Sequence, residues 1–211
     1  MTSPHSPLRT PPVALACLAL ALSACSDSSP AIRLTPAPKT LEAPKSDAAQ
    51  PPPQPGAVTM TIQLTSPSFT EGSPIPRKFS CDGENVSPAL QWSSPPAGVK
   101  SFALIMDDPD APMGTFVHWV LYNIPGGASA LPEAVASTRQ VQGLGEQGKN
   151  SARQTGYMGP CPPGGTHRYF FKLFALDALL APAGDPSAAD LEKAMQGHVL
   201  AQAALMGRYS R

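Results

Sequence analysis

The run Ser101 to Pro125, SFALIMDDPDAPMGTFVHWVLYNIP, constrains the fold most, because it sets two apolar stretches around an acidic, proline-bearing turn. In its first half Phe102, Leu104 and Met106 share one face and Ala103 and Ile105 the other, so the pattern predicts a strand covered on both sides. Asp107 to Pro112 then places three carboxylates among six residues, with two prolines whose rings fix φ and remove backbone donors. This is a rigid acidic loop. Phe116 to Ile124 resumes a strand, and alternation predicts His118 on the face of Val120, Tyr122 and Ile124, with Trp119 beside Val117 and Leu121. An imidazole thus emerges next to the loop. Asp-Pro-Asp is also ordinary turn chemistry and a strand histidine is commonly a satisfied core residue, so this stretch alone leaves a site and a plain hairpin both open.

Prolines are unevenly placed and separate the front of the chain from a compact back. Val13 to Leu22 is an apolar run of ten residues, too short for a membrane-spanning helix, which needs about 20. It ends in Leu22-Ser23-Ala24-Cys25, which resembles the bacterial lipobox. The reading is a lipoprotein signal peptide over 1–24 and lipidation of Cys25, with several acyl chains anchoring the protein stably. Ser26 follows the cysteine where aspartate would signal retention, so the expected location is the periplasm-facing outer membrane. From Ser26 to Ala57, eight of 32 residues are proline and no helical or strand period is visible, so residues 25–57 read as the lipidated cysteine and a semi-rigid tether. At about 3.1 Å per residue it reaches up to about 100 Å from the membrane.

Residues 58–211 read as one mostly β domain. Val58 to Thr65 alternates as a first strand, Pro88 to Trp92 as a short one, and Thr166 to Asp177 as a central strand buried on both faces, with His167 and Tyr169 sharing a face and Arg168 opposed. Gly126 to Gly156 lacks periodicity and reads as a long surface excursion that walls or lids something. Ser187 is a good N-cap, and Leu191, Ala194, Met195 and Val199 fall at helical spacing, so one or two helices are expected to close the chain, with Gly207 as their stop. Fifteen basic and 15 acidic residues leave no electrostatic footprint for nucleic acid.

Several motifs in order carry a family resemblance: Cys81-Asp82-Gly83 with Asn85, Ser87-Pro88-Ala89-Leu90 with Trp92, Asp108-Pro109-Asp110-Ala111-Pro112, His118-Trp119, Gly159-Pro160-Cys161-Pro162-Pro163 and His167-Arg168-Tyr169. Together they resemble the phosphatidylethanolamine-binding protein family in its bacterial and archaeal Raf-kinase-inhibitor-like branch, over about residues 60–211. The resemblance implies a β-sandwich with a small preformed pocket for phosphate, acetate or a phospholipid head group. It carries ligand-binding roles onto Asp108, Ala111, Pro112, His118, Gly159, Pro160, His167 and Tyr169. Two imidazoles, a phenol and loop N–H groups are donors suited to a phosphoryl oxygen. If both histidines donate, affinity falls as pH rises through about 6.5. Asp110 and Arg168 read as a supporting ion pair, and Cys81 and Cys161, exported to an oxidising compartment, as a possible disulfide.

The resulting expectation is a non-enzymatic binding protein for a small anion or head group, anchored to the membrane through lipid, with no cofactor, no metal and no nucleic acid. An inhibitor or docking protein for a protease, kinase or other envelope protein is the alternative. A hydrolase is disfavoured, because Gly-x-Ser-x-Gly, His-Glu-x-x-His and phosphate-loop motifs are missing from the chain.

Overall fold

A computed structural model describes residues 62–93 and 95–211. The signal peptide, Cys25, the tether and Val58 to Thr61 of the expected first strand lie outside the described residues. The elements in chain order are β1 (Leu64–Thr65), a 3₁₀ turn (Arg77–Phe79), β2 (Leu90–Trp92), β3 (Ser101–Asp108), β4 (Phe116–Pro125), β5 (Ala130–Leu131), β6 (Gln140–Val141), β7 (Gly145–Gln147), β8 (Thr166–Leu176), α1 (Ala188–Met195) and β9 (Val199–Ser210). They form a three-stranded sheet, β1-β2-β5, and a six-stranded sheet, β6-β7-β4-β3-β8-β9. Among the described residues the fold is mostly β and holds one α-helix, with two sheets that suit a sandwich.

The period-two pattern of β3 explains the layers. Phe102, Leu104 and Met106 join Trp119, Leu121, Phe171 and Leu173 in a core that also takes Leu64, Leu90, Trp92 and Leu131 of the smaller sheet. Ala103 and Ile105 face the other way, onto Val120, Tyr122 and the α1 residues Leu191 and Met195. Every residue of β3 is therefore buried. Each large apolar side chain so covered is worth about 1.5–3 kcal/mol of transfer free energy.

Strand β4 departs from simple alternation twice. Met106 pairs with Trp119 while Asp107 pairs with Val117, which leaves His118 as an extra residue in a bulge. A second shift sets Phe102 opposite Ile124 and Leu104 opposite Leu121, with Asn123 at φ 55°. Its side chain holds the kink, since Asn123 Oδ1 accepts from Leu180 N at 2.8 Å and Nδ2 donates to Leu180 O at 2.9 Å. Consequently Ile124 packs in the inter-sheet core and Val117 against the helix side, the reverse of the alternating reading.

Two further expectations are corrected. The expected closing helix is present as α1, whose Ser187 and Asp190 make a reciprocal capping box, but it ends at Met195 and is followed by β9, which pairs with β8 over its whole length. Val199 belongs to that strand, and Gly207 lies inside it rather than ending a helix. A Cβ at Gly207 would meet Ile75 Cγ1 at 2.4 Å, so the position needs glycine for packing. The Gly126 to Gly156 segment is sewn into both sheets through β5, β6 and β7. Buried Gln147 fixes it: Oε1 accepts from Trp119 Nε1 at 2.7 Å, and Nε2 donates to Ala136 O at 2.8 Å and Thr138 O at 2.6 Å. Strand β8 alternates between buried residues and exposed or partly buried ones, so only its inner face is sealed.

Candidate functional site

The polar ends of β3, β4 and β8 meet where the apolar core stops. Asp108 closes β3, His118 sits in the β4 bulge, and His167 and Tyr169 are alternate inward residues of β8; all four are buried. His167 Nδ1 donates to Asp108 Oδ2 at 2.7 Å, and Asp108 Oδ1 accepts from the Asp110 amide at 2.8 Å. Both carboxylate oxygens are thus engaged.

His118 is held by a reciprocal clamp. Its Nδ1 lies 2.8 Å from Met158 O, and Met158 N donates to His118 O at 3.0 Å. A carbonyl oxygen can only accept, so Nδ1 carries the proton. The ring lies edge-on to Tyr169, with centroids 5.2 Å apart, and 4.9 Å from the Phe116 ring. Burial pushes the His118 pKa below its ordinary value, against the opposing pull of the Met158 carbonyl and the Asp108 charge. The neutral ring therefore presents Nε2 as a lone pair, not as the donor expected from residue type.

Tyr169 has Asp108 and the Cys161 backbone N–H as polar neighbours, yet its buried hydroxyl completes no hydrogen bond of proper geometry. Desolvation, followed by the Asp108 charge, raises the phenol's pKa, so the hydroxyl keeps its proton.

Gly159 and Pro160 form the adjoining wall. The Gly159 amide donates to Asn85 Oδ1 at 2.7 Å, and Pro160 O accepts from Cys81 N at 3.1 Å. The expectation that loop N–H groups serve a ligand therefore does not hold at Gly159, whose donor is consumed. A Cβ there would meet Phe79 O at 2.3 Å, so only glycine permits this approach. Cys81 and Cys161 are joined in a disulfide with Cα atoms 5.4 Å apart, which ties the wall to the 81–85 turn.

The acidic loop divides. Asp110 turns outward to Arg168, accepting from its backbone N at 3.0 Å, Nε at 2.8 Å and Nη2 at 2.6 Å. The guanidinium holds the Asp110 carboxyl down at about 2. Ala111 O accepts from Gly114 N at 3.1 Å to close the turn, while Pro112 and Met113 stand exposed at its tip. The structure therefore brings together Asp108, His118, Gly159, Pro160, His167 and Tyr169, leaves Ala111 and Pro112 in the turn beyond Asp110, and pairs Asp110 with Arg168 in the lining of the depression that opens at His167.

Sequence reasoning gave no role to the Met158 carbonyl, to Asn85, or to Ser80, whose hydroxyl meets Tyr209 Oη at 2.7 Å while Tyr209 donates to Asp82 at 2.8 Å. Asn85, at φ 55° in a turn cluster, was the one with a visible signal. An open depression of about 510 Å³, with Thr166, Arg168 and Arg208 in its lining, reaches the site at His167. A groove of about 540 Å³ between β1 and β9, lined by Ile62, Leu64, Phe69 and Leu205, is mostly apolar and gathers no comparable polar set. Among the described residues no cluster of three or more histidine, cysteine, aspartate or glutamate side chains is arranged to hold a metal.

Comparison with known proteins points the same way. The family model described as phosphatidylethanolamine-binding protein matches residues 65–210. A UPF0098 protein of Methanothermobacter thermautotrophicus is 45% identical over 150 residues, 71% of this chain and 99% of its own length. One from Aquifex aeolicus is 48% identical over 154 residues, 71% of this chain and 89% of its own. Among solved structures, a putative phosphatidylethanolamine-binding protein homologue from Chlamydia trachomatis superposes with a TM-score of 0.66 at 41% identity, covering 72% of this chain and 98% of its own. Escherichia coli YbcL, described as a member of the mammalian family, gives 0.65 at 33%, covering 71% and 98%.

Proposed function

The chain belongs to the phosphatidylethanolamine-binding protein family, and from that premise we propose that it is a non-catalytic binding protein whose Asp108–His118–His167–Tyr169 site takes a small oxyanion or a phosphorylated head group. The observation that carries this reading is the Tyr169 hydroxyl. A buried hydroxyl without a partner is costly, and one placed between a carboxylate–imidazole pair and a second imidazole is a group awaiting a ligand oxygen. Nothing in this set is an activated nucleophile, which favours binding over turnover. The Leu22-Ser23-Ala24-Cys25 sequence supports placement on the bacterial envelope, with the proline-rich segment as tether.

One observation favours protein docking as a second reading: Met113, fully exposed at the tip of the acidic loop, is an apolar contact point beside the site. Isothermal titration of the full chain with phosphate and phosphoethanolamine tests the first reading, together with Tyr169→Phe and His167→Ala proteins. Heat of binding that weakens at least tenfold in both variants supports it. An intact protein that binds neither compound turns attention to the Met113 loop.

A further inference from the structure

The anion-site reading says nothing about which protonation state of an oxyanion the site accepts, and the hydrogen-bond inventory does. The buried Tyr169 hydroxyl has no hydrogen-bond partner among the described residues, and both imidazoles make their side-chain bonds through Nδ1, His118 to Met158 O and His167 to Asp108, which leaves Nε2 of each to face the site. His118 Nε2 is an acceptor. Its tautomer is fixed from the far side of the ring, because Met158 O takes the Nδ1 proton, and the Met158 amide returns a backbone bond to His118 O, so ring and backbone are tied to the same residue. The hydroxyl is a donor. The wall adds no donor at Gly159 or Pro160, since the glycine amide is spent on Asn85 and proline has none.

The charge balance points in the same direction. The groups facing His118 are Asp107 and Asp108 from β3, Tyr169 from β8 and the Met158 and Gly159 carbonyls from the wall, and His167 stands behind Asp108. Asp107 is neutralised by Lys172 on the outer face. Inside the site the Asp108 carboxylate is bonded to the His167 imidazole. The neighbouring guanidiniums stand in the lining of the open depression: Arg168 is paired with Asp110, and Arg208 is exposed to solvent, which screens it. A doubly charged ligand therefore meets the carboxylate in a poorly screened setting, with only the solvent-screened Arg208 to offset it.

Resting on the anion-site reading, we propose that this site selects its ligand by protonation state. It takes an oxyanion that still carries an O–H, the monoanion of phosphate or of a phosphomonoester, whose proton goes to His118 Nε2 while an unprotonated oxygen of the same group receives the Tyr169 hydroxyl. A phosphodiester has no P–OH to offer, and sulfate has none near neutral pH. Both would leave the Nε2 lone pair facing an oxygen lone pair.

The test is calorimetric titration of the full chain, from about pH 5.5 to about pH 8.5, with four probes: inorganic phosphate, phosphoethanolamine, glycerophosphoethanolamine and sulfate. A phosphomonoester loses its second proton near pH 6, so the dissociation constant of phosphoethanolamine is expected to rise about tenfold per pH unit above that value. Inorganic phosphate should follow a parallel curve displaced towards higher pH, and the tighter of the two monoesters at a matched monoanion fraction identifies the preferred source. Glycerophosphoethanolamine and sulfate should bind at least about 30-fold more weakly at pH 6. His118→Gln, which places an amide donor where the lone pair was, should raise sulfate affinity and flatten the pH dependence of the monoesters.

Sulfate or the diester binding as tightly as the monoesters at pH 6 would overturn selection by protonation and leave the anion site standing. So would a phosphoethanolamine affinity that does not weaken between about pH 6 and about pH 8.5. No binding of any probe at any pH overturns the anion site itself, and the selection with it.

Discussion

Strand β8 runs through two chemically different halves of the molecule on one and the same face. Phe171, Leu173 and Ala175 point inward against Leu104, Trp119 and the smaller sheet; Tyr169 and His167 continue that row towards Asp108 and His118. The five residues are nearly equally buried, with at most 8% of any exposed, so burial does not separate core from site. What separates them is how each environment is satisfied. At Leu173 any side chain of the right volume and polarity is adequate, because dispersion and transfer energy have no direction. At His167 a particular nitrogen meets a particular oxygen at 2.7 Å, and two residues on, the Tyr169 hydroxyl is left without a partner. The core half of the strand is closed and the site half is not.

The widest separation between the halves comes from Leu173→Ala. The residue is fully buried among Leu104, Phe102 and Ala203, and its truncation is expected to cost about 2–5 kcal/mol in denaturant unfolding. Phosphate affinity of the folded fraction should change by less than about twofold. Reducing the Cys81–Cys161 bridge should cost about 2–4 kcal/mol through the unfolded state. Unlike the core truncation, it should weaken binding as well, because the bridge holds the Gly159–Pro160 wall against the 81–85 turn; reduced protein that binds at full strength would break the comparison. Gly159→Ala forces a methyl onto the Phe79 carbonyl, costs about 1–3 kcal/mol by overpacking, and should abolish binding while sparing the sheets.

How much of this was legible in the chain follows the same division. Strands β3, β4 and β8 could be read because apolar residues fall at strand period, and the site residues because histidines, a tyrosine and an acidic loop recur in family motifs. Strand β9 could not be read: VLAQAALMGRYS is rich in alanine and leucine, and of its inward positions Ala201, Ala203, Leu205 and Gly207 all but Leu205 are small residues that pack against a neighbour without announcing a period. The β4 bulges were invisible for a different reason, since an extra residue is defined only against its partner strand. The His118 tautomer depended on the Met158 carbonyl, a backbone group 40 residues away that no side-chain pattern signals.

Asp108→Asn probes the site half alone. It keeps the side chain's shape, costs on the order of 1 kcal/mol, and removes the one fixed negative charge among the ligand groups. Phosphoethanolamine binding in this variant should become less sensitive to pH above about 6, because the penalty on the dianion is relieved. An unchanged profile would show that Asp108 only orients His167.

The smallest expected effect is on stability, and it turns on the sign of one protonation. Burial lowers the His118 pKa in the folded chain, with the Met158 carbonyl, Asp108, the Gly159 carbonyl and Asp107 opposing in that order, whereas the unfolded chain has the ordinary value near 6.5. Between those two values the unfolded state binds the proton and the folded state does not. Stability therefore rises with pH through this window and is lost as pH falls below about 6.5 towards the folded value. His118→Gln has no such proton to bind. Between about pH 7 and about pH 5 the wild type should lose more stability than the variant, and the difference between the two curves isolates His118 from the carboxylates they share. Curves that stay parallel would mean that the buried ring is no harder to protonate than a free one; Nε2 would then carry a proton as pH falls, and the site would admit the permanently ionised oxyanions that a lone pair turns away.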